Sequence, residues 1–175
     1  MVVIRDAPGP TPHGSNNMHI LYDTKAEFEH KLRQGHELAQ WTVRYGKLLS
    51  GDREWWAKVR SEVDSYPWPD WHTKLNHFDK RIRLAEKALG DQDELAAEEE
   101  LLMAASHLAR AHLLRRGIFP LSRPELASQL LSIEDNELSD ILSSLSRGRL
   151  GESKLQRILV TLKSVSERPV LGTTS

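Results

Sequence analysis

Along the second half of the chain, apolar residues recur at alternating steps of three and four positions, the spacing of one face of an α-helix. The first such repeat consists of Trp71, Leu75, Phe78, Ile82, Ala85 and Leu89. Residues 91–116 follow as a longer helix that is apolar around most of its circumference, which is typical of a helix in the middle of a bundle. Three further repeats, at residues 126–130, 138–145 and 155–162, predict three more helices. Residues 51–168 are therefore predicted to form a helical bundle domain.

The first 50 residues have a different pattern. Two short apolar runs, "VVIR" at residues 2–5 and "MHILY" at residues 18–22, are separated by a connector rich in proline, glycine and asparagine that is incompatible with a helix. After them, Thr24 and Glu27 have the three-residue spacing of a helix-capping box. This pattern predicts two short strands, which form only a marginal sheet by themselves, followed by helices.

The length of 175 residues fits one domain, or one small domain with an appendage. The predicted organisation is a region of two strands and helices at residues 1–50, the bundle at residues 51–168 and a flexible tail at residues 169–175. The predicted fold class is mainly α, an up-and-down helical bundle with a short N-terminal β-hairpin or strand remnant.

Composition narrows the classes of function. The absence of cysteine excludes disulfide scaffolds, thiolate zinc sites and cysteine nucleophiles, and it suits a cytoplasmic location. No apolar run approaches the roughly 20 residues of a membrane span, so no membrane association is expected. With 24 Lys and Arg against 25 Asp and Glu, the net charge of −1 predicts no strong binding to nucleic acid.

Polar residues interrupt the apolar surface of the long helix. Ser106, His107 and Arg110 project onto one arc of about 100°, and Glu99 projects onto the same arc. Acids at the start of this helix and arginines at its end suit the helix macrodipole, so these residues can form a structural polar seam. A surface that faces a ligand or partner is the other interpretation. His112 projects to the opposite side, as a core histidine with a hydrogen-bond partner does.

Spacing argues against a metal site. His72 and His77 are five residues apart, as are His107 and His112, and a five-residue step turns a side chain by about 140° around a helix, whereas chelation from one helix favours a four-residue step. The sequence also lacks a Walker loop, a G-x-G-x-x-G motif and a serine in a nucleophile-elbow context. No arginine is followed four to six residues later by histidine, the spacing of a class of helical ribonucleases.

Two longer stretches carry a family resemblance. Residues 80–130 contain a run of acids, an alanine-rich helix and the turn "GIFPLSRPEL", which leads into the next helix. Residues 19–52 contain a strand, a helix and then "YGKLLSGD". In this order, over roughly residues 1–145, the chain resembles the nucleotidyltransferase superfamily of the DNA polymerase β type. The similar branch is the one in which a small catalytic domain precedes a helical domain of the HEPN or kanamycin nucleotidyltransferase type. The resemblance therefore implies that residues 1–50 are a remnant of a nucleotidyltransferase-type α/β domain.

The resemblance implies a chemistry whose central parts are absent from this sequence. In that family a Gly-Ser loop grips the nucleotide phosphates, and acids on two strands hold Mg²⁺, which bridges those phosphates. Here "MVVIRDAPGP" resembles the end of the strand that bears the acid pair, and Asn16, Asn17 and His19 stand where a third acid is expected. Mg²⁺ and a nucleoside triphosphate are thus expected as cofactors only if the catalytic half is present.

The resemblance also implies candidate roles in the bundle. A carboxylate of the helical domain can act as general base on the acceptor hydroxyl, and the candidates here are Glu98, Glu99 and Glu100. Arg110 or Arg116 would steer phosphate. Substrate or partner binding is predicted for Ser106, His107, Arg110 and Arg116, and no metal ligand is predicted.

The function expected from these observations is substrate binding and dimerisation by the helical domain of a nucleotidyltransferase-like protein, without transfer of a nucleotide by this chain. The expected partners are a second copy of the chain or a catalytic domain, with a nucleotide or another small molecule as substrate. Two enzymatic alternatives stay open. One is an active nucleotidyltransferase whose catalytic part lies upstream, and the other is a HEPN-type toxin or antitoxin component that acts on RNA.

Overall fold

The computed structural model describes residues 2–6 and 21–168. They form two compact units, Met1–Pro69 and Asp70–Ser175. Three predictions lie outside the described residues. They are the start of the "MHILY" strand, the replacement of an expected acid by Asn16, Asn17 and His19, and the flexible tail at residues 169–175. No helix in the described part of the chain is long and apolar enough to cross a membrane.

The first unit begins with two short strands, β1 (Val2–Arg5) and β2 (Leu21–Thr24). They pair in parallel, with Val2 opposite Leu21 and Arg5 opposite Thr24. Of the two predicted alternatives, the hairpin is therefore wrong, because a two-residue turn can join only antiparallel strands. The strand remnant is confirmed.

Three helices follow β2, namely α1 (Lys25–Arg33), α2 (Glu37–Tyr45) and α3 (Arg53–Glu62), and a single 3₁₀ turn closes the unit. The predicted capping box starts α1: Thr24 Oγ1 accepts from the N–H of Glu27 at 3.2 Å, and Glu27 Oε2 accepts from the N–H of Thr24 at 2.7 Å. Asp52 starts α3 by accepting from the N–H of Trp55 at 2.9 Å. The core of this unit consists of Phe28, Leu32, Ala39, Val43, Val59 and Val63.

The second unit is a bundle of five helices among the described residues. They are α4 (Trp71–Gly90), α5 (Glu94–Arg115), α6 (Arg123–Leu131), α7 (Asn136–Arg147) and α8 (Glu152–Glu167). The predicted fold class, a mainly α helical bundle with short N-terminal strands, is confirmed. The predicted start of the long helix at residue 91 is wrong, because Asp91 and Gln92 form a turn and Asp93 caps the helix from its side chain.

Helix α5 is the centre of this unit, as its apolar circumference predicts. It packs against α4, α6, α7 and α8. Its buried alanines, Ala97, Ala104, Ala105, Ala109 and Ala111, leave room for neighbouring helices to approach closely. The buried apolar residues of the second unit therefore surround α5.

The two compact units meet in the sequence at Pro69 and Asp70. The sequence predicts a domain boundary between residues 50 and 51, whereas Val59 and Val63, from α3 and the turn after it, belong to the core of the first unit. The predicted boundary concerns domains of the resembled family and stays a prediction.

Candidate functional site

Helices α4 and α5 form a hairpin whose short turn centres on Gln92. In such a hairpin, residues at equal distances from the turn face one another. His77 and His107 each lie fifteen residues from Gln92, and their imidazole rings stack with centroids 5.1 Å apart and an angle of 28° between the planes. The predicted candidate His107 is thus one half of a histidine pair.

A charged pair lies beside the two histidines. Nη1 of Arg81 donates to both oxygens of Glu100, at 2.9 and 3.1 Å. Arg81 is one helical turn from His77 on α4, and Glu100 is two turns from His107 on α5, so both pairs lie on the same side of the hairpin. The side chains of Arg81 and Glu100 are 33% and 22% exposed. This pair is reachable from solvent.

Two further arginines border these pairs. Nη1 of Arg110 donates to the carbonyl of Ser106 at 3.1 Å, and Nη2 of Arg123, in the first turn of α6, lies 2.8 Å from the sulfur of Met103. The predicted candidate Arg110 is partly exposed, and Arg123 is exposed. We call the six residues of this region the α4–α5 surface: His77, Arg81, Glu100, His107, Arg110 and Arg123.

The α4–α5 surface combines groups suited to an anionic ligand. It presents the guanidinium groups of Arg81, Arg110 and Arg123 beside the carboxylate of Glu100, and guanidinium groups bind phosphate and carboxylate oxygens in a planar, bidentate geometry. The arrangement can therefore bind a phosphate-bearing molecule.

Ser106 does not belong to this surface, although it was predicted to share the arc of His107 and Arg110. Its side chain is buried, and its hydroxyl donates to the carbonyl of Leu102 at 2.7 Å. A serine that bonds back to the carbonyl four residues earlier satisfies its own hydroxyl within the helix. Ser106 is thus a packing residue of α5.

The three candidate glutamates lie in different environments. The oxygens of Glu98 accept from the backbone N–H groups of Arg149 and Leu150, at 3.1 and 2.9 Å, and so hold the loop between α7 and α8. Glu99 is exposed. Of the three, Glu100 is the one in the α4–α5 surface, where its partner is Arg81.

The last candidate, Arg116, lies at the end of α5 and donates from Nη1 to the carbonyl of Ile133 at 3.1 Å. It thereby connects the end of α5 to the loop between α6 and α7.

The core histidine of α5 lies near this end of the helix. His112 is 8% exposed, and its Nδ1 lies 2.6 Å from Oδ2 of Asp135, the N-cap of α7. The prediction that His112 is a core histidine with a partner is confirmed.

The pKa of the Asp135 carboxyl lies below its ordinary value of 3.8. Burial acts to raise this pKa, but the hydrogen bond and charge of His112 outweigh burial, with smaller contributions from the N–H of Leu138 and the charge of Arg116. The contact with His112 therefore favours the charged form of Asp135 at the end of α5.

Sequence reasoning missed His77, Arg81 and Arg123 as members of the surface. A signal for His77 was present, because a turn centred on Gln92 predicts that residues 77 and 107 face each other. No comparable signal existed for Arg123, whose position depends on the packing of α6 against α5.

In residues 2–6 and 21–168, no group of three or more His, Asp or Glu side chains is arranged to hold a metal ion. No protein-family model, no curated protein and no solved structure matches this chain.

Proposed function

We propose that this chain is the substrate-binding and dimerisation part of a nucleotidyltransferase-like protein in the cytoplasm, and that the α4–α5 surface binds the phosphates of a nucleotide. In this proposal the chain positions a substrate and leaves nucleotide transfer to a catalytic domain. The order of elements supports it, since two strands and three helices precede a helical bundle, as in the family that the sequence resembles.

The observation that carries the proposal is the stacked pair of His77 and His107 beside the pair of Arg81 and Glu100. Two imidazoles and a guanidinium stand on adjacent turns of a rigid helix hairpin, so little ordering is needed when a ligand binds. Because Glu100 already neutralises Arg81, a phosphate gains most if it binds the guanidinium edge that Glu100 does not use.

Titration of the purified chain with ATP in an isothermal calorimeter, with and without Mg²⁺, tests ligand binding. Replacing Arg81 by Ala is expected to weaken ATP binding at least tenfold, because a hydrogen bond to a charged group contributes about 1.5–3 kcal/mol. His107→Ala and His77→Ala are expected to weaken it as well. Arg81→Lys keeps the charge but loses the planar fork, so it is expected to restore only part of the affinity.

Arg83 offers a matched control. It is an exposed arginine on the same helix, two residues from Arg81, which turns its side chain by about 200° to the other side of α4. Arg83→Ala is expected to leave ATP binding unchanged. Equal losses in Arg83→Ala and Arg81→Ala, or no ATP binding at millimolar concentration, would contradict the proposed site.

The same purified proteins test the proposal that this chain does not itself transfer a nucleotide. Nucleotide transfer by the purified chain in the presence of Mg²⁺ would overturn the non-catalytic part of the proposal. RNA cleavage that disappears in His107→Ala or Arg110→Ala would favour a ribonuclease instead.

A further inference from the structure

The cationic side chains of the α4–α5 surface lie at two separate levels of the helix hairpin. Residues at equal distances from Gln92 face one another, as the stacked histidines do. Arg81 and Met103, each eleven residues from Gln92, therefore face one another as well. Nη2 of Arg123 lies 2.8 Å from the sulfur of Met103. The guanidinium groups of Arg81 and Arg123 thus share the level nearer the turn, which we call the near end.

A second pair of cationic residues faces across the same hairpin, farther from the turn. Lys74 and Arg110 each lie eighteen residues from Gln92, and both are partly exposed. On α4, Lys74, His77 and Arg81 point within an arc of about 60°, because steps of three and seven residues turn a helix by about 300° and 700°. Lys74 therefore extends the α4–α5 surface, and we call Lys74 and Arg110 the far end.

The histidine pair separates the two ends. Met103 and Arg110 are seven residues apart on α5, which corresponds to about 10 Å along the helix axis. His107 lies between these two positions, and its ring stacks on that of His77, an exposed residue. The surface therefore has cations at both ends and flat rings between them.

This spacing distinguishes two kinds of nucleotide. The phosphates of ATP follow one another through shared bridging oxygens, so they form one anionic group at one end of the molecule. A nucleoside that is phosphorylated on both its 5′ and 3′ oxygens carries two anionic groups with the ribose between them. Guanidinium and ammonium groups at two separated ends suit the second arrangement.

The rings between the two ends suit a nucleobase. Bases that are not paired stack on aromatic side chains, histidine included, when proteins recognise them. One face of the His77 ring is covered by His107, and His77 is exposed. The exposed side of His77 is therefore the place where a base can stack.

From these observations we propose that the α4–α5 surface selects a nucleotide with phosphates on both sides of its ribose. Arg81 and Arg123 bind one phosphate, Lys74 and Arg110 bind the other, and the base stacks on His77. This inference rests on the proposed function, whose nucleotide it specifies. The same chemistry comes from two sources, a free nucleoside 3′,5′-bisphosphate and a nucleotide within a short single strand.

Calorimetric titration of the purified chain with adenosine 5′-monophosphate and adenosine 3′,5′-bisphosphate tests the inference. The second phosphate gains charge-assisted hydrogen bonds at the other end of the surface, so the bisphosphate is expected to bind at least about tenfold more tightly. In Lys74→Ala and Arg110→Ala this preference is expected to fall below about threefold. General damage to the surface would lower both affinities and keep their ratio.

Lys80 offers a matched control for Lys74. It is an exposed lysine on the same helix, and the six residues between the two positions turn its side chain by about 240°. Lys80→Ala is expected to keep the full preference for the bisphosphate. Circular dichroism checks that all variants retain their helices.

The ratio of the two affinities decides the inference. Equal affinity for the monophosphate and the bisphosphate in the unmodified chain would overturn it, and the proposed function would stand if ATP still bound. Equal loss of the preference in Lys74→Ala and Lys80→Ala would also overturn it. No binding of ATP or of either adenosine nucleotide at millimolar concentration would contradict the proposed function as well.

A short strand distinguishes the two sources of the ligand. In the 5′-phosphorylated dinucleotide of adenosine, the first ribose carries a phosphate on one side and a phosphodiester on the other. Tighter binding of this dinucleotide than of the bisphosphate would support a nucleotide within a strand, and weaker binding would support the free bisphosphate. Affinities of both ligands no higher than that of the monophosphate would overturn the inference.

Discussion

Twenty-one buried apolar side chains form the core cluster of the second unit, whereas six form that of the first. Large exposed apolar residues show the opposite distribution. In the described part of the chain, the first unit exposes Leu21, Leu38, Tyr45, Leu48, Leu49 and Trp68, and the second exposes Leu84, Leu95, Leu131 and Val160. Hydrophobic stabilisation follows the apolar area removed from water. The second unit therefore has the larger stability of its own, and the first gains more from any surface that covers it.

The strongest test of this difference removes one large core side chain from each unit. Leu32 and Leu101 are both 0% exposed, and truncation of a buried leucine to alanine costs about 3–5 kcal/mol. In the first unit we expect Leu32→Ala to unfold the unit, because few other core contacts remain. In the second unit we expect Leu101→Ala to lower the urea midpoint and leave a folded bundle.

Intrinsic fluorescence separates the two units in this experiment. Four of the five tryptophans, Trp41, Trp55, Trp56 and Trp68, lie in the first unit, and Trp71 lies in the second. The fluorescence transition of the unmodified chain is expected at lower urea than the circular dichroism transition of the helices. Leu49→Ala is the control, since Leu49 is 82% exposed. Coincident transitions in both probes would show that the units unfold together and would contradict the comparison.

The helices of the second unit could be predicted from the sequence, whereas contacts between distant residues largely could not. Periodicity alone predicted the helices of the second unit and the central position of α5, because a helix that is apolar on all sides must be surrounded. The two capping boxes, at Thr24 and at Ser122, were also readable, because their residues are three apart. These are local features, and local spacing is sufficient to define them.

Apart from the pair of His77 and His107, the contacts between distant parts of the chain could not be predicted from the sequence. Glu98 was predicted as a possible general base, but it binds backbone N–H groups some fifty residues later in the sequence. The pairing of Arg81 with Glu100 depends on the register of the α4–α5 hairpin, which the turn at Gln92 sets. Parallel pairing of β1 and β2 likewise depends on the path of the chain between them. Spacing within one element contains no information on such partners.

The partly buried pair of His112 and Asp135 gives the next largest effect, and it belongs to the second unit. His112→Ala is expected to lower the free energy of unfolding by about 2–3 kcal/mol, because it leaves a partly buried carboxylate without its hydrogen-bond partner. Asp135→Asn is expected to cost less than Asp135→Ala, since asparagine still caps α7. Urea unfolding monitored by circular dichroism measures these differences, and equal values for the two Asp135 variants would contradict this account.

The pH dependence of the same pair follows from the lowered pKa of Asp135. A carboxyl whose pKa is lower in the folded state contributes stability above its ordinary value of 3.8 and loses it as the pH falls through the folded-state pKa. The stability advantage of the unmodified chain over Asp135→Asn is therefore expected to shrink as the pH falls below about 4. Unfolding curves at intervals of half a pH unit measure it, and an advantage that grows towards acid would contradict the assignment.

Glu98 and its neighbour Glu99 provide a smaller, matched comparison on one helix. Glu98→Ala is expected to cost about 1–2 kcal/mol, because two backbone N–H groups of the loop between α7 and α8 lose their acceptor. Glu99→Ala, at an exposed position, is expected to change the free energy of unfolding by less than about 0.5 kcal/mol. The urea midpoints of Glu98→Ala and Glu99→Ala measure this difference. If Glu98 served only as a general base, its removal would leave the free energy of unfolding unchanged.

The smallest predicted effect returns to the comparison of the two units through their capping boxes. Thr24→Ala in the first unit and Ser122→Ala in the second each remove one cap, at a cost of about 1 kcal/mol. Equal costs have unequal consequences, because a unit with a small core has less stability to lose. We expect Thr24→Ala to shift the fluorescence transition more than Ser122→Ala shifts the circular dichroism transition. If Ser122→Ala gave the larger shift, the second unit would be the less stable one, and the inference drawn from the two core clusters would be wrong.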